Sequence, residues 1–115
     1  MAKILLAEDD STMVALLKTL LKMEGFEVVA LDVETDIAAE VEREKPDAIF
    51  MDVHLGEQSG MKVLEAIRRN QDTANVRVVM TSGLNMADEC LQLGANAFLQ
   101  KPFMPDELIS VLKYS

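Results

Sequence analysis

The stretch LLAEDDST, residues 5–12, passes from an apolar segment through three adjacent acids towards a helix. Its first three residues have the character of a buried strand end. Beyond it, apolar side chains recur at helical spacing, namely Met13, Leu16, Leu17, Leu20 and Leu21. A buried strand followed closely by an amphipathic helix is the building block of parallel α/β sheets. It leaves open why three acids that repel one another stand at the junction.

The same alternation of strand and helix continues along the chain. The predicted strands are mostly continuously apolar, as expected where both faces of a sheet are covered; they are Lys3–Ala7, Phe26–Leu31, Ala48–Met51, Val76–Met80 and Ala97–Leu99. The predicted helices are one between a cap at Asp10 or Ser11 and Gly25, then Glu34–Glu44, Met61–Asn70, Met86–Leu93 and Pro105–Tyr114. This order predicts right-handed crossovers, a parallel sheet and helices on both of its faces.

Size and composition indicate a globular protein with one domain, residues 1–115. Half of the 115 residues are hydrophobic and 27% are charged, which is sufficient for a core without disulfides. The single Cys90 fits a reducing compartment, and no apolar run approaches the length of a membrane span. We therefore expect a cytoplasmic location without membrane contact. The net charge of −9 argues against direct binding to nucleic acid, but not against cations or basic proteins.

Polar residues follow the predicted strands at the edge where parallel sheets carry their functional crevice. Glu8, Asp9 and Asp10 follow the first strand, and Asp52 follows the third. If these strands are neighbours, two of the carboxylates about 5 Å apart repel each other by roughly 3 kcal/mol. A helix cap stabilises by only about 1 kcal/mol, so capping explains one acid but not the cluster. A divalent cation explains it, and hard oxygen ligands beside a phosphate favour Mg²⁺.

The residues at the other strand ends complete a phosphoryl-transfer site. An aspartate carboxylate such as that of Asp52 can attack phosphorus as a nucleophile. Thr81 after the fourth strand and Lys101 after the fifth can hold phosphoryl oxygens.

The order and spacing of these residues resemble the receiver domain of two-component response regulators. The resemblance rests on Asp9-Asp10, Asp52, Thr81 and Lys101-Pro102, and it extends over essentially the whole chain. It implies a flavodoxin-like (βα)5 fold, a three-layer sandwich whose parallel five-stranded sheet has the order 2-1-3-4-5. The chain departs from the common pattern in having Gly56 where many receivers have proline, and in a shortened stretch before Lys101 that shortens the fourth helix.

The resemblance also implies a role for each residue of the site. Asp52 would accept a phosphoryl group from a sensor histidine kinase or a phosphotransfer protein. Mg²⁺ would be bound by Asp9, Asp10, Asp52 and the backbone carbonyl of His54. The protein would assist only its own phosphorylation and dephosphorylation, and would otherwise not be an enzyme.

Response to phosphorylation would depend on residues on the other side of Asp52. Thr81 and Lys101 would contact the phosphoryl group, and Phe98 would take the place of the aromatic switch residue. A downstream protein would bind the face formed by the fourth helix, the fifth strand and the fifth helix. Homodimerisation on phosphorylation is a further expectation.

The sequence disfavours two other functions of related chemistry or topology. A Mg²⁺-dependent phosphatase or phosphomutase needs a second carboxylate two residues after the nucleophile, where this chain has His54. A flavin carrier needs a first loop that cradles phosphate, and Glu8-Asp9-Asp10 would repel one. A receiver-like interaction module that is never phosphorylated stays as the alternative.

The sequence allows two interpretations for Glu8 and two for Phe98. Glu8 is either a third acid of the pocket or a solvated side chain, and Phe98 is either a switch or part of the core. The sequence is compatible both with a single-domain regulator and with part of a longer protein.

Overall fold

Strands and helices alternate along residues 2–114, the part of the chain that this computed structural model describes, with Tyr114 described by its backbone alone. The strands are β1 (Lys3–Ala7), β2 (Glu27–Ala30), β3 (Ala48–Asp52), β4 (His54–Leu55), β5 (Gln58–Ser59), β6 (Arg77–Ser82) and β7 (Ala97–Gln100). The helices are α1 (Ser11–Met23), α2 (Ile37–Glu44), α3 (Gly60–Arg69), α4 (Ala87–Gln92) and α5 (Pro105–Tyr114).

Five of the strands form one parallel sheet in the order β2-β1-β3-β6-β7. If the five strands of this sheet are numbered consecutively along the chain, their order is 2-1-3-4-5. The predicted fold is therefore confirmed. The chain reverses its direction of strand addition between β1 and β3. This switch point is where a crevice opens at the carboxyl ends of parallel strands.

Alternate residues of the central strands enter two separate cores, one on each face of the sheet. Ile4, Leu6 and Phe50 pack with Leu17 of α1 and Leu108 of α5. Their neighbours along the strands face the other side, where α2, α3 and α4 lie; among them are Leu5, Ile49, Met51, Ile67 and Cys90. Most of these side chains are fully buried, and each such leucine or isoleucine contributes about 1.5–3 kcal/mol. Two cores on a central sheet give the predicted three layers.

Several element ends differ from the predictions for local reasons. Helix α2 begins at Ile37 rather than Glu34, because the side chain of Asp36 caps it by accepting a hydrogen bond from the Ala39 amide at 3.1 Å. Strand β6 continues to Ser82, since its pairing with β7 extends to Gln100. Helix α4 is short, as expected from the shortened stretch that contains it.

A small antiparallel hairpin, β4 and β5, was not predicted. Its two strands pair His54 with Ser59 and Leu55 with Gln58. Gly56 begins its two-residue turn with a φ of 60°, a conformation that glycine adopts without strain. The hairpin follows β3 directly, so it lies beside the carboxyl end of the sheet.

Among the described residues, every helix is too short or too polar to cross a lipid bilayer.

Candidate functional site

The strand order brings the predicted polar residues to one edge of the sheet. Asp52 ends β3 opposite Thr81 of β6, while β1 on its other side leads into Glu8 and Asp9. Glu8, Asp9 and Asp52 each offer a carboxylate oxygen, and these three oxygens lie within 4.8 Å of one another. Asp9 is exposed, whereas Glu8 and Asp52 are only 4% and 5% exposed. Such buried carboxylates require a compensating charge.

Asp52 is held through both of its carboxylate oxygens. Its Oδ2 accepts a hydrogen bond from the Lys101 ammonium at 2.5 Å. Its Oδ1 accepts one from the backbone amide of His54 at 2.8 Å. These two contacts fix the orientation of the carboxylate. Lys101 leads into a cis peptide bond with Pro102.

Lys101 also neutralises Glu8. The Lys101 Nζ lies 2.9 Å from Glu8 Oε2, an ion-pair contact that lacks the alignment of a good hydrogen bond. Burial raises the pKa of Glu8, and Lys101 opposes this only in part. Burial by itself lowers the pKa of Lys101, but the contacts with Asp52 and Glu8 outweigh it and the pKa is raised. One ammonium group therefore serves two buried carboxylates.

Asp9 is the exposed member of the cluster. Its Oδ2 accepts a hydrogen bond from the Gly56 amide in the hairpin turn at 3.2 Å. The Glu8 carboxyl, which can donate to Asp9 when protonated, and next the hydrogen bond from the Gly56 amide lower the pKa of Asp9. Asp9 is thus the carboxylate of this cluster that is most accessible to a cation from solvent.

Asp10 does not join the cluster, although the sequence predicted it as a metal ligand. Its Oδ1 accepts hydrogen bonds from the amides of Thr12 and Met13 at 3.0 and 3.1 Å, and so caps α1. Glu8, for which the sequence left two interpretations, is the third acid of the pocket. The structure therefore brings Glu8 rather than Asp10 to Asp9 and Asp52.

Thr81 and Phe98 lie on the far side of Asp52. Thr81 is fully buried, and its hydroxyl donates a hydrogen bond to the carbonyl of Leu99 at 2.6 Å. Phe98 is partly buried against the core on the α2, α3 and α4 face. The hydroxyl of Thr81 is thus engaged by β7, the strand that carries Phe98. The His54 side chain is exposed.

Gly60, the first residue of α3, was not recognised from the sequence. A Cβ atom built there would lie 2.2 Å from the carbonyl oxygen of Asp52 and 3.0 Å from Cα of Val53. The Gly60 amide donates to the Val53 carbonyl at 2.7 Å. The start of α3 therefore rests directly on the backbone of Asp52. Gly60 directly precedes the predicted helix Met61–Asn70, and a glycine at that junction was the available signal.

The residues present fit a small hard divalent cation. Three carboxylates with converging oxygens, one of them exposed, match the few oxygen ligands that Mg²⁺ takes from a protein. The acids outnumber the single ammonium group beside them, so a further positive charge would offset repulsion.

Comparison with known proteins gives a consistent result. The sequence matches the family described as the response regulator receiver domain over residues 4–113. The transcriptional regulatory protein CpxR of Escherichia coli K12 is 33% identical over 115 residues, which cover 98% of this chain and 48% of CpxR. The chemotaxis protein CheY of Bacillus subtilis is 32% identical over 114 residues, covering 96% of this chain and 93% of CheY. The chain thus spans about half the length of CpxR and nearly all of CheY.

Solved structures agree with the sequence relatives. The receiver domain of the sensor histidine kinase PA1611 from Pseudomonas aeruginosa PAO1, which has a magnesium ion coordinated in its active site cleft, superposes with a TM-score of 0.83. The two sequences are 30% identical, and the match covers 96% of this chain and 93% of the PA1611 receiver domain. Because the family match runs from β1 into α5 and the sheet order agrees with it, the chain belongs to the response regulator receiver domain family of two-component signalling.

Proposed function

We propose that this receiver domain accepts a phosphoryl group on Asp52 from a phosphohistidine of a sensor histidine kinase or phosphotransfer protein. The observation that carries the proposal is the Asp52 carboxylate itself. It is buried, oriented through both oxygens, and placed between a lysine and two further acids. An aspartate with a purely structural role would need only one hydrogen-bonding partner. The arrangement around Asp52 instead suits a carboxylate to which a phosphoryl group, with its oxygens, is added.

The transfer is a displacement at phosphorus. One oxygen of Asp52 attacks phosphorus, the bond from phosphorus to the donor imidazole nitrogen breaks, and that nitrogen takes up a proton. Lys101, already 2.5 Å from Asp52, would contact the phosphoryl oxygens as they arrive. The amide of His54 keeps the carboxylate aimed during the approach.

Mg²⁺ would be held by Asp9 and Asp52, with Glu8 as the third acid and the His54 carbonyl as the further ligand expected from the family resemblance. When bound, it would supply positive charge to offset the charge that develops on the transferred phosphoryl group. Asp10, engaged as the cap of α1, is not part of the proposed ligand set.

The response would pass through Thr81. Its hydroxyl would have to leave the Leu99 carbonyl to contact the phosphoryl group, and β7 carries Phe98 next to Leu99. A local charge change would thereby become a packing change. The proposed output is binding of a downstream protein, or homodimerisation, at the face formed by α4, β7 and α5.

The test is intact-mass analysis after incubation with acetyl phosphate, with and without Mg²⁺. We expect the parent protein to gain the mass of one phosphoryl group only with Mg²⁺, and Asp52→Asn to gain none. Asp72→Asn, an exposed aspartate distant from the site along the chain, makes the same change in charge and should label normally. Equal labelling of Asp52→Asn would refute the assignment, and no labelling of the parent protein would favour an interaction module that is never phosphorylated.

A further inference from the structure

The hairpin turn beside Asp9 is tied to a second loop by one side chain. The Gln58 Nε2 donates two hydrogen bonds, to the carbonyl of Val33 at 2.5 Å and to that of Thr35 at 2.7 Å. Both acceptors belong to the loop between β2 and α2. The amide of a glutamine has two N–H donors, so both are used in this contact.

The loop that accepts these bonds is itself firmly placed. Asp32 Oδ1 accepts from the Glu34 amide at 2.9 Å, and the Thr35 hydroxyl donates to the Asp32 carbonyl at 2.7 Å. Just before it, the Leu31 amide donates to Leu6 of β1 at 2.8 Å. The loop is therefore a fixed anchor on the same strand that leads into Glu8 and Asp9.

These contacts close a ring of hydrogen bonds around the edge of the sheet. From β1 the ring passes through Leu31 to the anchored loop, and from that loop through Gln58 to the hairpin. Gln58 pairs with Leu55 across the Gly56-Glu57 turn, and the Gly56 amide returns to Asp9. Without the Gln58 contact, the Gly56-Glu57 turn would be held by the buried Leu55, the two-residue pairing and the long Gly56 bond to Asp9, and a two-stranded hairpin by itself is marginal.

We propose that Gln58 is a positioning residue: it holds the turn so that the Gly56 amide orients Asp9 for the cation. This inference rests on the proposed function, in which Asp9 is a ligand of Mg²⁺. Residues that orient a ligand without touching the metal affect metal affinity about 10- to 100-fold. The Gly56 bond to Asp9 is long, at 3.2 Å, so we place the expected effect of losing Gln58 at about 10-fold.

The experiment compares Gln58→Met, which keeps an unbranched side chain of similar length but has no N–H donor, with the parent protein. Mg²⁺ titration in the absence of a phosphodonor gives the dissociation constant, and urea unfolding gives stability. Amide hydrogen exchange of Gly56 in the metal-free protein reports the turn directly. Gln71→Met is the matched control, because Gln71 is an exposed glutamine outside the ring. Gln58→Leu, which also lacks an N–H donor and adds no charge near the acidic cluster, serves as the second variant should Gln58→Met fail to fold.

We expect Mg²⁺ binding to weaken about 10-fold in the Gln58 variants, with faster exchange at Gly56. Gln71→Met should bind Mg²⁺ as the parent does. Unchanged Mg²⁺ affinity in both Gln58 variants, with or without a loss of stability, would overturn the inference and leave the proposed function intact. A parent protein without affinity for Mg²⁺ would overturn both, which separates the two failures.

Discussion

At the scale of single residues, hydrogen bonds and ion pairs already hold the side chains of the candidate site in place. Asp52 is fixed between the Lys101 ammonium and the His54 amide, so little side-chain freedom would be lost in the proposed reaction. Glu8 shares the same lysine, and its burial makes a second positive charge favourable. These contacts assign different tasks to acids that are adjacent in the sequence.

Glu8 and Asp10 should therefore respond differently to substitution. We expect Glu8→Gln to weaken Mg²⁺ binding, because it removes one carboxylate of the cluster. Asp10→Ala should leave Mg²⁺ affinity nearly unchanged and lower the free energy of unfolding by about 1 kcal/mol, the usual loss for a helix cap. Titration with Mg²⁺ and urea unfolding on the same samples measure the two quantities.

Asp10→Asn is the matched control, since asparagine caps helices about as well as aspartate. It should resemble the parent protein in both measurements. A large loss of Mg²⁺ affinity in Asp10→Asn together with normal binding in Glu8→Gln would reverse the two assignments.

The sequence sufficed to predict Asp9, Asp52, Thr81 and Lys101 at the strand ends, since topology alone brings strand ends together. It could not separate Glu8 from Asp10, because the two differ only in the direction of their side chains after the same strand. The distinction arises from α1, whose first free amides attract the carboxylate of Asp10. Capping of α1 therefore competes with metal binding for the Asp10 carboxylate.

At the scale of elements, α3 is placed so that its first residue touches the backbone of Asp52, the proposed phosphoacceptor. A methyl group at Gly60 would lie 2.2 Å from the Asp52 carbonyl oxygen, so Gly60→Ala must displace α3 or the end of β3. We expect slower labelling with acetyl phosphate, by about 100-fold for a displacement of about 1 Å. Overpacking costs about 1–3 kcal/mol, so most of the protein should stay folded. Timed intact-mass analysis measures the rate.

Gly83→Ala provides the matched control for this substitution. A Cβ atom at Gly83 meets no atom within 4 Å, and its backbone is not in the left-handed region. It should label at the parent rate. Equal rates for Gly60→Ala and the parent would show that the contact with Asp52 does not matter for the reaction.

Arg68 of α3 joins several elements at the amino ends of β6 and β7. Its guanidinium donates to the carbonyls of Gly94, Ala74 and Val76 and to Asn96 Oδ1, at 2.7 to 3.0 Å. Burial lowers its pKa. We expect Arg68→Ala to lower the free energy of unfolding by about 2–4 kcal/mol, because several partly buried carbonyls lose a charged donor. Urea unfolding measures the loss.

Arg69→Ala is the natural comparison, because the neighbouring side chain is 77% exposed and its nearest carboxylate, that of Glu65, is 3.9 Å away. Its stability should lie within about 0.5 kcal/mol of the parent. A loss of similar size in both variants would mean that helix propensity, rather than the Arg68 contacts, sets the result.

The periodicity of apolar residues was sufficient to predict the parallel sheet and all five helices. The hairpin β4-β5 was missed because two-residue strands carry no periodicity, and because Gln58 bonds to a loop 23 and 25 residues earlier in the chain. The hydrogen bonds of Arg68 could not be predicted from the sequence either, because their acceptors are mostly backbone carbonyls that only the fold brings near.

At the scale of the whole molecule, we expect phosphorylation to change mainly one side of the protein, the side formed by α4, β7 and α5. Thr81 bonds to Leu99 of β7, and β7 packs with α4 and α5. Beryllofluoride, which mimics a phosphoryl group, should therefore change amide exchange mostly between Gly83 and Tyr114 in the presence of Mg²⁺. The shift reflects a change of population between two states rather than a new fold. Exchange measured by mass spectrometry with and without beryllofluoride tests this.

Asp52→Asn with beryllofluoride controls for effects unrelated to the site. Changes confined to α1 and α2, with the segment from Gly83 onwards silent, would place the output surface elsewhere.

The network of Arg68 lies at the amino edge of the sheet, while Asp52 and its partners lie at the carboxyl edge. The sheet therefore places the Arg68 contacts, which we expect to support stability, at the edge opposite the proposed chemistry. A lineage adapting to a hotter or colder habitat can retune one edge while the other is preserved. For a protein engineer, the amino edge is accordingly the place to adjust robustness while the signalling chemistry is left in place.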